Sequence, residues 1–229
     1  MTRSESRTSF DPQRSRVCVL TDETLSGGRS HLEVARLALA GGADHIQLRD
    51  KHLGACRLYE LGLALRELTL AHGRLLFVND RPDIAAAVGA DGVHLGQDDL
   101  PVASTREVFG SRLLIGASAR SLQEALDAEA AGADYLGVGP IYEARASKPD
   151  AVEPQGLDLI RTISARCRIP IIAIGGITTA NAPDVMRAGA SGVAVISAVV
   201  AAEDIAGATA TLRDVVCMAV PGPLDPDHA

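Results

Sequence analysis

The sequence has no tryptophan and only three phenylalanines and three tyrosines among its 229 residues. It therefore has few of the aromatic rings on which proteins stack single-stranded nucleic acids. A surplus of basic charge is also absent, because 22 Lys and Arg stand against 29 Asp and Glu, a net charge of −7. This acidic balance argues against nonspecific attraction to nucleic acid or to an anionic membrane. We expect neither as a partner.

Long apolar runs and closely spaced cysteines are missing as well. No run approaches the ~20 apolar residues of a membrane-spanning helix, and the polar N-terminus MTRSESRTSF lacks the apolar segment of a signal peptide. The four cysteines form no Cys-x-x-Cys pair, which favours reduced thiols over a disulfide framework or a zinc site. The composition predicts a soluble, cytoplasmic protein.

Short β-branched runs alternate with segments of helical periodicity along the chain. Eight runs are too short for helices and almost continuously apolar, as expected of strands buried on both faces: 17–20, 45–49, 74–78, 92–96, 113–118, 135–140, 170–176 and 192–197. Four segments between them place apolar side chains three and four residues apart: 31–40, 58–71, 121–131 and 156–167. Eight such units without a break in composition predict an α/β fold, a single-domain (β/α)8 TIM barrel. An open doubly wound sheet would carry a GxGxxG loop after the first strand, where TDETLSGGRS stands.

The ends of the chain differ in composition from its centre. Residues 1–15 and 219–229 lack apolar periodicity and are rich in polar residues and proline. We predict a barrel over 16–218 with a flexible segment at each end.

A Gly-Ala-Asp phrase recurs before several of the predicted strands. It places Asp44, Asp91 and Asp134 where a helix ends and the next strand begins. In a barrel this is the N-terminal end of the strands, so we expect these carboxylates to be structural.

The chemistry of a TIM barrel is carried at the C-terminal ends of its strands. After the second strand, alternation places Gln47 and Arg49 on one face, with Lys51 just beyond. Arginine offers a planar fork for phosphate oxygens and lysine a mobile charge. The alternative is an exposed charged loop in which Asp50 pairs with a neighbour.

Two carboxylates follow the next two strands. Asp80 comes after the third strand and Asp99 after the fourth. Hard oxygen ligands of this kind suit Mg2+, which leaves coordination positions for water and substrate phosphate. The alternative for Asp80 is to cap the helix that begins near Pro82. The histidines show no HxxxH or HExxH spacing, and His94 is expected to line the barrel interior in a supporting role.

The remaining strand ends supply a hydroxyl, a cationic loop and a glycine-rich turn. Ser118 closes the fifth strand, and the longest strand-to-helix loop follows the sixth, where a lid is expected. Gly176, Ile196 and Ser197 follow strands seven and eight, where barrels often bind phosphate. The residues thus predict two anion sites at one opening. The first is a metal-assisted site formed by Asp80, Asp99, Arg49, Lys51 and Lys148, and the second is the metal-free phosphate site. Two anionic substrates at one opening suggest a transferase.

Several motifs, in order, resemble those of the thiamine-phosphate synthase family. They are QLRDK at 47–51, NDRPDIA at 79–85, GADGVHLGQDD at 89–99, IGAS at 115–118, YLGVGPIY at 135–142, AIGGI at 173–177 and GVAVIS at 192–197. The resemblance runs from Arg16 to about Val200, nearly the whole predicted barrel.

The resemblance implies that hydroxymethylpyrimidine diphosphate and a thiazole phosphate are condensed to thiamine phosphate and diphosphate. It implies that the pyrimidine diphosphate is held by Gln47, Leu48, Arg49, Asp50, Lys51 and Asn79, that Ser118 and Lys148 contact the diphosphate, and that Asp80 and Asp99 bind Mg2+. It implies that Gly176, Ile196 and Ser197 hold the thiazole phosphate. Charge stabilisation by Arg49, Lys51, Ser118 and Lys148 then assists diphosphate departure, and the thiazole nitrogen attacks the pyrimidine cation without a protein nucleophile. This agrees with the lack of an obvious Ser/His/Asp set.

The sequence departs from the family pattern after the sixth strand. Where the family usually has Thr-x-Thr-Lys, this chain has Arg145, Ala146, Ser147 and Lys148, and the segment is one residue longer than the family pattern. Arg145 as a substitute donor to the thiazole substrate is one interpretation, and a shifted loop is the other.

Two alternatives to the synthase remain open. A thiazole tautomerase has a similar barrel but does not need Arg49, Lys51 and the two aspartates together. A catalytically idle barrel that binds a phosphate ligand and regulates a partner is the second.

Overall fold

The structure is a computed structural model that describes residues 10–143 and 153–219. Eight strands are present in this part of the chain: β1 Val17–Leu20, β2 His45–Leu48, β3 Leu75–Asn79, β4 Gly92–Leu95, β5 Leu114–Ala119, β6 Tyr135–Val138, β7 Ile171–Ile174 and β8 Gly192–Val195. The helices are α1 His31–Ala40, α2 Ala55–Ala71, α3 Pro82–Ala87, α4 Val102–Phe109, α5 Leu122–Ala130, α6 Gly156–Ser164, α7 Ala182–Arg187, α8 Ser197–Val200 and α9 Ile205–Met218. No helix among these residues is long and apolar enough to span a membrane.

The strands form a closed barrel in sequence order. Each pairs in parallel with the next, and β8 pairs with β1 through Val17 and Val193, which closes the sheet. The predicted (β/α)8 fold is therefore confirmed. Parallel neighbours require a crossover, and the helices supply it by packing their apolar faces against the outside of the barrel. Ser30 and Ser121 begin α1 and α5, each accepting a hydrogen bond from the backbone N–H of a glutamate three residues later.

The three Gly-Ala-Asp carboxylates support the N-terminal end of the barrel, as predicted. Asp44 accepts hydrogen bonds from the backbone N–H of Val17 on the neighbouring strand and from Arg74. Asp91 and Asp134 repeat this arrangement with Leu76 and Arg66, and with Ile115 and Arg106, respectively. Each carboxylate therefore joins a strand to a cation that follows or lies on a helix.

The end of the barrel opposite the strand C-termini is closed by aromatic rings. Phe10, His45, Phe77 and Tyr135 form this barrel floor. The Phe10 ring stacks on Tyr135 with 4.5 Å between ring centroids and is only 8% exposed. A 3-10 turn over Pro12–Arg14, capped by Asp11, then leads into β1.

The floor corrects one boundary of the sequence analysis. Residues 10–15 were expected to belong to a flexible segment, but Phe10 and Ser15 are buried and a 3-10 turn over Pro12–Arg14 joins them. The rest of that predicted segment, residues 1–9, lies outside the described residues, as does the predicted C-terminal tail apart from Ala219.

Candidate active site

A cavity of about 300 Å³ opens at the C-terminal ends of the strands and reaches down toward the barrel floor. Ten of the predicted site residues line it: Gln47, Arg49, Lys51, Asn79, Asp80, Asp99, Ser118, Gly176, Ile196 and Ser197. Strand ends from β2, β3, β4, β5, β7 and β8 supply these side chains. Residues far apart in the sequence are thus brought to one opening.

Successive side chains at the end of β2 point alternately into the cavity and into the surrounding structure. Gln47 and Arg49 point inward, where Gln47 Nε2 donates to Asn79 Oδ1 at 2.8 Å and Arg49 lies 3.4 Å from Asp22. Leu48 is buried in the core outside the barrel instead. Successive side chains on a strand face opposite sides, so Leu48 does not line the cavity.

Asp50 also departs from the predicted substrate-binding role. Its carboxylate accepts hydrogen bonds from the backbone N–H groups of His52 and Leu53 and lies 3.1 Å from Nε2 of His31. These hydrogen bonds lower the pKa of Asp50, although its partial burial opposes them. Asp50 is therefore paired with a neighbour, as the charged-loop alternative predicts. Arg49 and Lys51 nevertheless line the cavity.

Asp80 and Asp99 lie next to each other in the wall of the cavity, with their carboxyl groups facing. Burial and the adjacent Asp99 carboxyl raise the pKa of Asp80, while the positive charges of Lys51 and Arg49 oppose this rise. Asp80 has a φ of 64°, an uncommon conformation for a residue with a side chain. Helix α3 begins instead with Arg81 as its N-cap, which makes no side-chain capping bond. Asp80 therefore does not cap α3, and the capping alternative is wrong.

A hydrogen-bonded chain connects the barrel floor with Ser118. Tyr135 Oη lies 3.1 Å from His94 Nδ1, and His94 Nε2 lies 3.0 Å from Ser118 Oγ. Burial raises the pKa of the Tyr135 phenol, so it keeps its proton and can donate to His94. The His94 imidazole thus lies within hydrogen-bond distance of both the Tyr135 phenol and the Ser118 hydroxyl.

This chain contains a Ser/His pair, at a site where the sequence predicts no obvious Ser/His/Asp set. The other ring nitrogen faces the phenol of Tyr135 rather than a carboxylate. A phenol does not carry the negative charge with which the aspartate of a Ser/His/Asp triad stabilises an imidazolium. Ser118 is therefore suited to donate to a ligand rather than to act as a nucleophile. The expected interior position of His94 is confirmed.

The glycine turn after β7 is shaped by the loop that follows β6. A Cβ on Gly176 would stand 2.5 Å from the carbonyl oxygen of Glu143, and Gly176 has a φ of 63°. Only glycine allows this approach without strain. Asn181 fixes the turn further, donating to the Gly176 carbonyl at 3.0 Å and accepting from the Thr178 N–H at 2.8 Å.

Three residues at the site were not predicted, and four predicted residues lie outside the described part of the chain. Tyr135, Gln97 and Asn181 were not predicted, although alternation along β6 would have placed Tyr135 inside the barrel. Gln97 lines the cavity and donates to the Ser118 carbonyl. Arg145, Ala146, Ser147 and Lys148, together with the expected lid, lie outside the described residues.

Comparisons with known proteins identify relatives over most of the chain. The family model described as thiamine monophosphate synthase matches residues 17–199. A thiamine-phosphate synthase of Chloroflexus aurantiacus is 56% identical over 88% of this chain and 92% of its own length. One of Moorella thermoacetica is 53% identical over 91% of this chain and 98% of its own.

A solved structure extends this similarity to three dimensions. Thiamine phosphate pyrophosphorylase from Pyrococcus furiosus superposes with a TM-score of 0.84 at 43% identity, covering 92% of this chain and 99% of that one. Sequence and backbone thus agree over nearly the whole barrel, and the chain belongs to the thiamine monophosphate synthase family.

Proposed function

We propose that this chain condenses 4-amino-5-hydroxymethyl-2-methylpyrimidine diphosphate with hydroxyethylthiazole phosphate, or its carboxylate form, to give thiamine phosphate and diphosphate. One observation carries the proposal: a single cavity holds Arg49, Lys51 and the facing pair Asp80 and Asp99, and also the turn at Gly176 with Ser197. A transferase that joins two anionic substrates needs both groups at one opening.

Asp80 and Asp99 fit a Mg2+ ion. Two carboxyl groups that face each other in a half-buried wall repel one another, and a divalent cation would offset this repulsion. Among residues 10–143 and 153–219, no group of three or more His, Cys, Asp or Glu side chains is placed to hold a metal. A site with two carboxylates suits Mg2+, which takes its other oxygens from water and substrate phosphate. When bound, the ion would stabilise the negative charge that develops on the leaving diphosphate.

The side chains of the cavity would bind the two substrates and direct their reaction. Arg49 and Lys51 would hold diphosphate oxygens by charge-assisted hydrogen bonds, and Ser118 would donate to the same group. Each well-placed donor is typically worth about 3 kcal/mol in the transition state. The turn at Gly176 and the N–H groups near Ser197 would hold the thiazole phosphate, so that the thiazole nitrogen approaches the pyrimidine methylene carbon.

The proposal is tested by incubating the protein with both substrates and Mg2+ and following both products. We expect thiamine phosphate and diphosphate in equal amounts, and neither product when one substrate or Mg2+ is omitted. Isomerisation of a thiazole substrate without condensation would instead identify a tautomerase. Calorimetric binding of a phosphate ligand without Mg2+-dependent diphosphate binding would point to a non-catalytic regulator.

We also propose that the protein is located in the cytoplasm. Its four cysteines are free, and Cys18 is buried inside the barrel. Free thiols of this kind are typical of a reducing compartment. Fractionation of cells that carry a tagged full-length chain tests this location.

A further inference from the structure

A buried polar chain lies behind the loop that carries Arg49 and Lys51. It consists of Thr21 at the end of β1, His31 in the first turn of α1 and Asp50 in the loop after β2. The Thr21 side chain is wholly buried and His31 is only 1% exposed. A histidine so deeply buried normally requires hydrogen-bond partners on both ring nitrogens.

Both ring nitrogens of His31 have such partners. Nε2 lies 3.1 Å from the Asp50 carboxylate, and Nδ1 lies 2.7 Å from Thr21 Oγ1. Because a carboxylate only accepts, Nε2 donates to Asp50, and Nδ1 pairs with the Thr21 hydroxyl, which also lies 3.5 Å from the Gln47 carbonyl oxygen. Thr21 Oγ1 in turn accepts from the backbone N–H of Arg49 at 3.4 Å.

The chain therefore begins and ends on consecutive residues. It begins at the backbone N–H of Arg49 and returns to the side chain of Asp50. The Asp50 carboxylate also holds the next turn through the N–H groups of His52 and Leu53. These contacts fix the backbone on both sides of Lys51, at the point where Arg49 and Lys51 enter the cavity.

We propose that His31 is a positioning residue, which acts through Thr21 and Asp50 to hold Arg49 and Lys51 in place for the diphosphate of the pyrimidine substrate. This inference rests on the proposed function. His31 itself does not line the cavity, so it contributes through the loop and not by contact with substrate. Small displacements of a group that positions substrate reduce binding and rate together.

The test compares three substitutions that keep different halves of the chain. His31→Gln keeps a donor near the position of Nε2, His31→Asn keeps a polar atom near Nδ1, and His31→Leu keeps neither. For His31→Leu we expect the KM for the pyrimidine diphosphate to rise about 10-fold, with the KM for the thiazole phosphate within about twofold of wild type. His31→Gln should lie between His31→Leu and wild type, because it retains the contact with Asp50.

Thr209→Val serves as a matched control for stability. Thr209 is a buried hydroxyl on α9 that, among the described residues, donates only to the Ile205 carbonyl of its own helix, and it does not line the cavity. This variant should lower the unfolding midpoint without changing the ratio of the two KM values. Binding of inorganic diphosphate with Mg2+, measured by calorimetry, gives a second readout that does not depend on turnover.

Several results would overturn the inference. Unchanged KM values and diphosphate affinity in all three His31 variants would show that the loop does not need His31. Equal increases in both KM values would indicate a general structural role. If His31→Leu does not fold, the other two variants decide the question. Diphosphate binding at wild-type affinity in both His31→Gln and His31→Asn would also show that the loop does not need His31. A wild-type protein that binds diphosphate but makes no thiamine phosphate would refute the proposed function and leave the binding comparison valid.

Discussion

One position along a strand decides whether a side chain meets the substrate or supports the residue that does. Arg49 enters the cavity, while Leu48 before it packs outside the barrel and Asp50 after it holds the loop. The same division separates Asp80, which lines the cavity, from Arg81, which forms an exposed ion pair with Asp83. Substitutions of adjacent residues should therefore have very different effects.

The acidic pair provides the first prediction at this scale. Asp80→Ala or Asp99→Ala should lower turnover by at least about 100-fold, with partial recovery at high Mg2+, because the remaining carboxylate binds the ion more weakly. The measurement is the steady-state rate as a function of Mg2+ concentration. Asp83→Ala removes a nearby carboxylate outside the cavity and should leave the Mg2+ dependence unchanged. Wild-type rates for the Asp80 variant at low Mg2+ would exclude it as a ligand.

His45 provides the second prediction, which concerns stability and pH. Burial, and secondarily the charge of Arg74, lower the pKa of His45 from its usual 6.5 to about 3, and its Nε2 has no hydrogen-bond partner among the described residues. Between about pH 6.5 and pH 3, the unfolded chain therefore binds a proton at His45 and the folded chain does not. Stability is unaffected above this window and falls as the pH decreases through it, by about 2 kcal/mol between pH 7 and pH 5.

A variant without the imidazole isolates this effect. Urea unfolding of His45→Leu should show a weaker loss of stability between pH 7 and pH 5 than the wild type. His72→Gln, at an exposed histidine, should keep the wild-type dependence. Identical pH curves for wild type and His45→Leu would mean that the ring is protonated in the folded barrel.

At the scale of elements, glycines on the strands make room for rings on their neighbours. Gly92 on β4 pairs with Phe77 on β3, and Gly116 on β5 pairs with Tyr135 on β6. A Cβ would lie 2.4 Å from the Phe77 ring at Gly92, and 2.1 Å from Cζ of Tyr135 at Gly116. Large and small inward residues thus alternate between strands so that the narrow barrel can hold its aromatic rings.

This packing predicts the effect of a single added methyl group. Gly116→Ala should destabilise the fold by about 1–3 kcal/mol, because Tyr135 must move to accommodate it. Gly54→Ala is the control, since that glycine has a φ of −70° and nothing within 4 Å of its missing Cβ. Denaturant unfolding compares the two variants. Equal stability of both would mean that the barrel interior has free space at Gly116.

The elements themselves were largely predictable from the sequence. The eight apolar runs coincide with the strands to within two residues at every boundary, because strands buried on both faces show continuous apolar character. Helix α9 was not among the predicted segments, although Asp204 caps it by accepting from the Gly207 N–H. Its buried residues Ile205, Thr209, Leu212 and Val216 stand at helical spacing, so the sequence did contain a pattern that predicts this helix.

The candidate site was predictable in composition but not in orientation. Motif spacing brought the correct strand ends to one opening, since closure of a parallel barrel gathers all strand ends. It did not show that Asp50 turns toward His31, or that Tyr135 and His94 support Ser118. These contacts join residues that are 19, 41 and 24 positions apart, and local patterns carry no signal for them.

At the scale of the whole molecule, stability and chemistry occupy opposite ends of the barrel. The aspartate–arginine pairs and the aromatic floor lie at one end, and the cavity opens at the other. This division is typical of TIM barrels. A substitution of a floor residue that does not line the cavity, such as Phe10, should therefore change the free energy of unfolding more than it changes substrate binding.

Phe10 tests this separation. Phe10→Ala should lower the free energy of unfolding by about 3–5 kcal/mol, because it removes a buried ring beneath the barrel. The KM values measured on the folded fraction should stay at wild-type levels. Leu70→Ala, at an apolar side chain that is 60% exposed, should leave both quantities almost unchanged. A large change in either KM for Phe10→Ala would show that floor and cavity are coupled.

The most direct test of the central claim is to locate a divalent cation in crystals of the protein grown with Mn2+ and diphosphate. The account predicts an anomalous scattering peak between the carboxylates of Asp80 and Asp99, with diphosphate oxygens beside Arg49 and Lys51. A peak at other residues, or diphosphate bound at the cavity without any cation at the two aspartates, would contradict it.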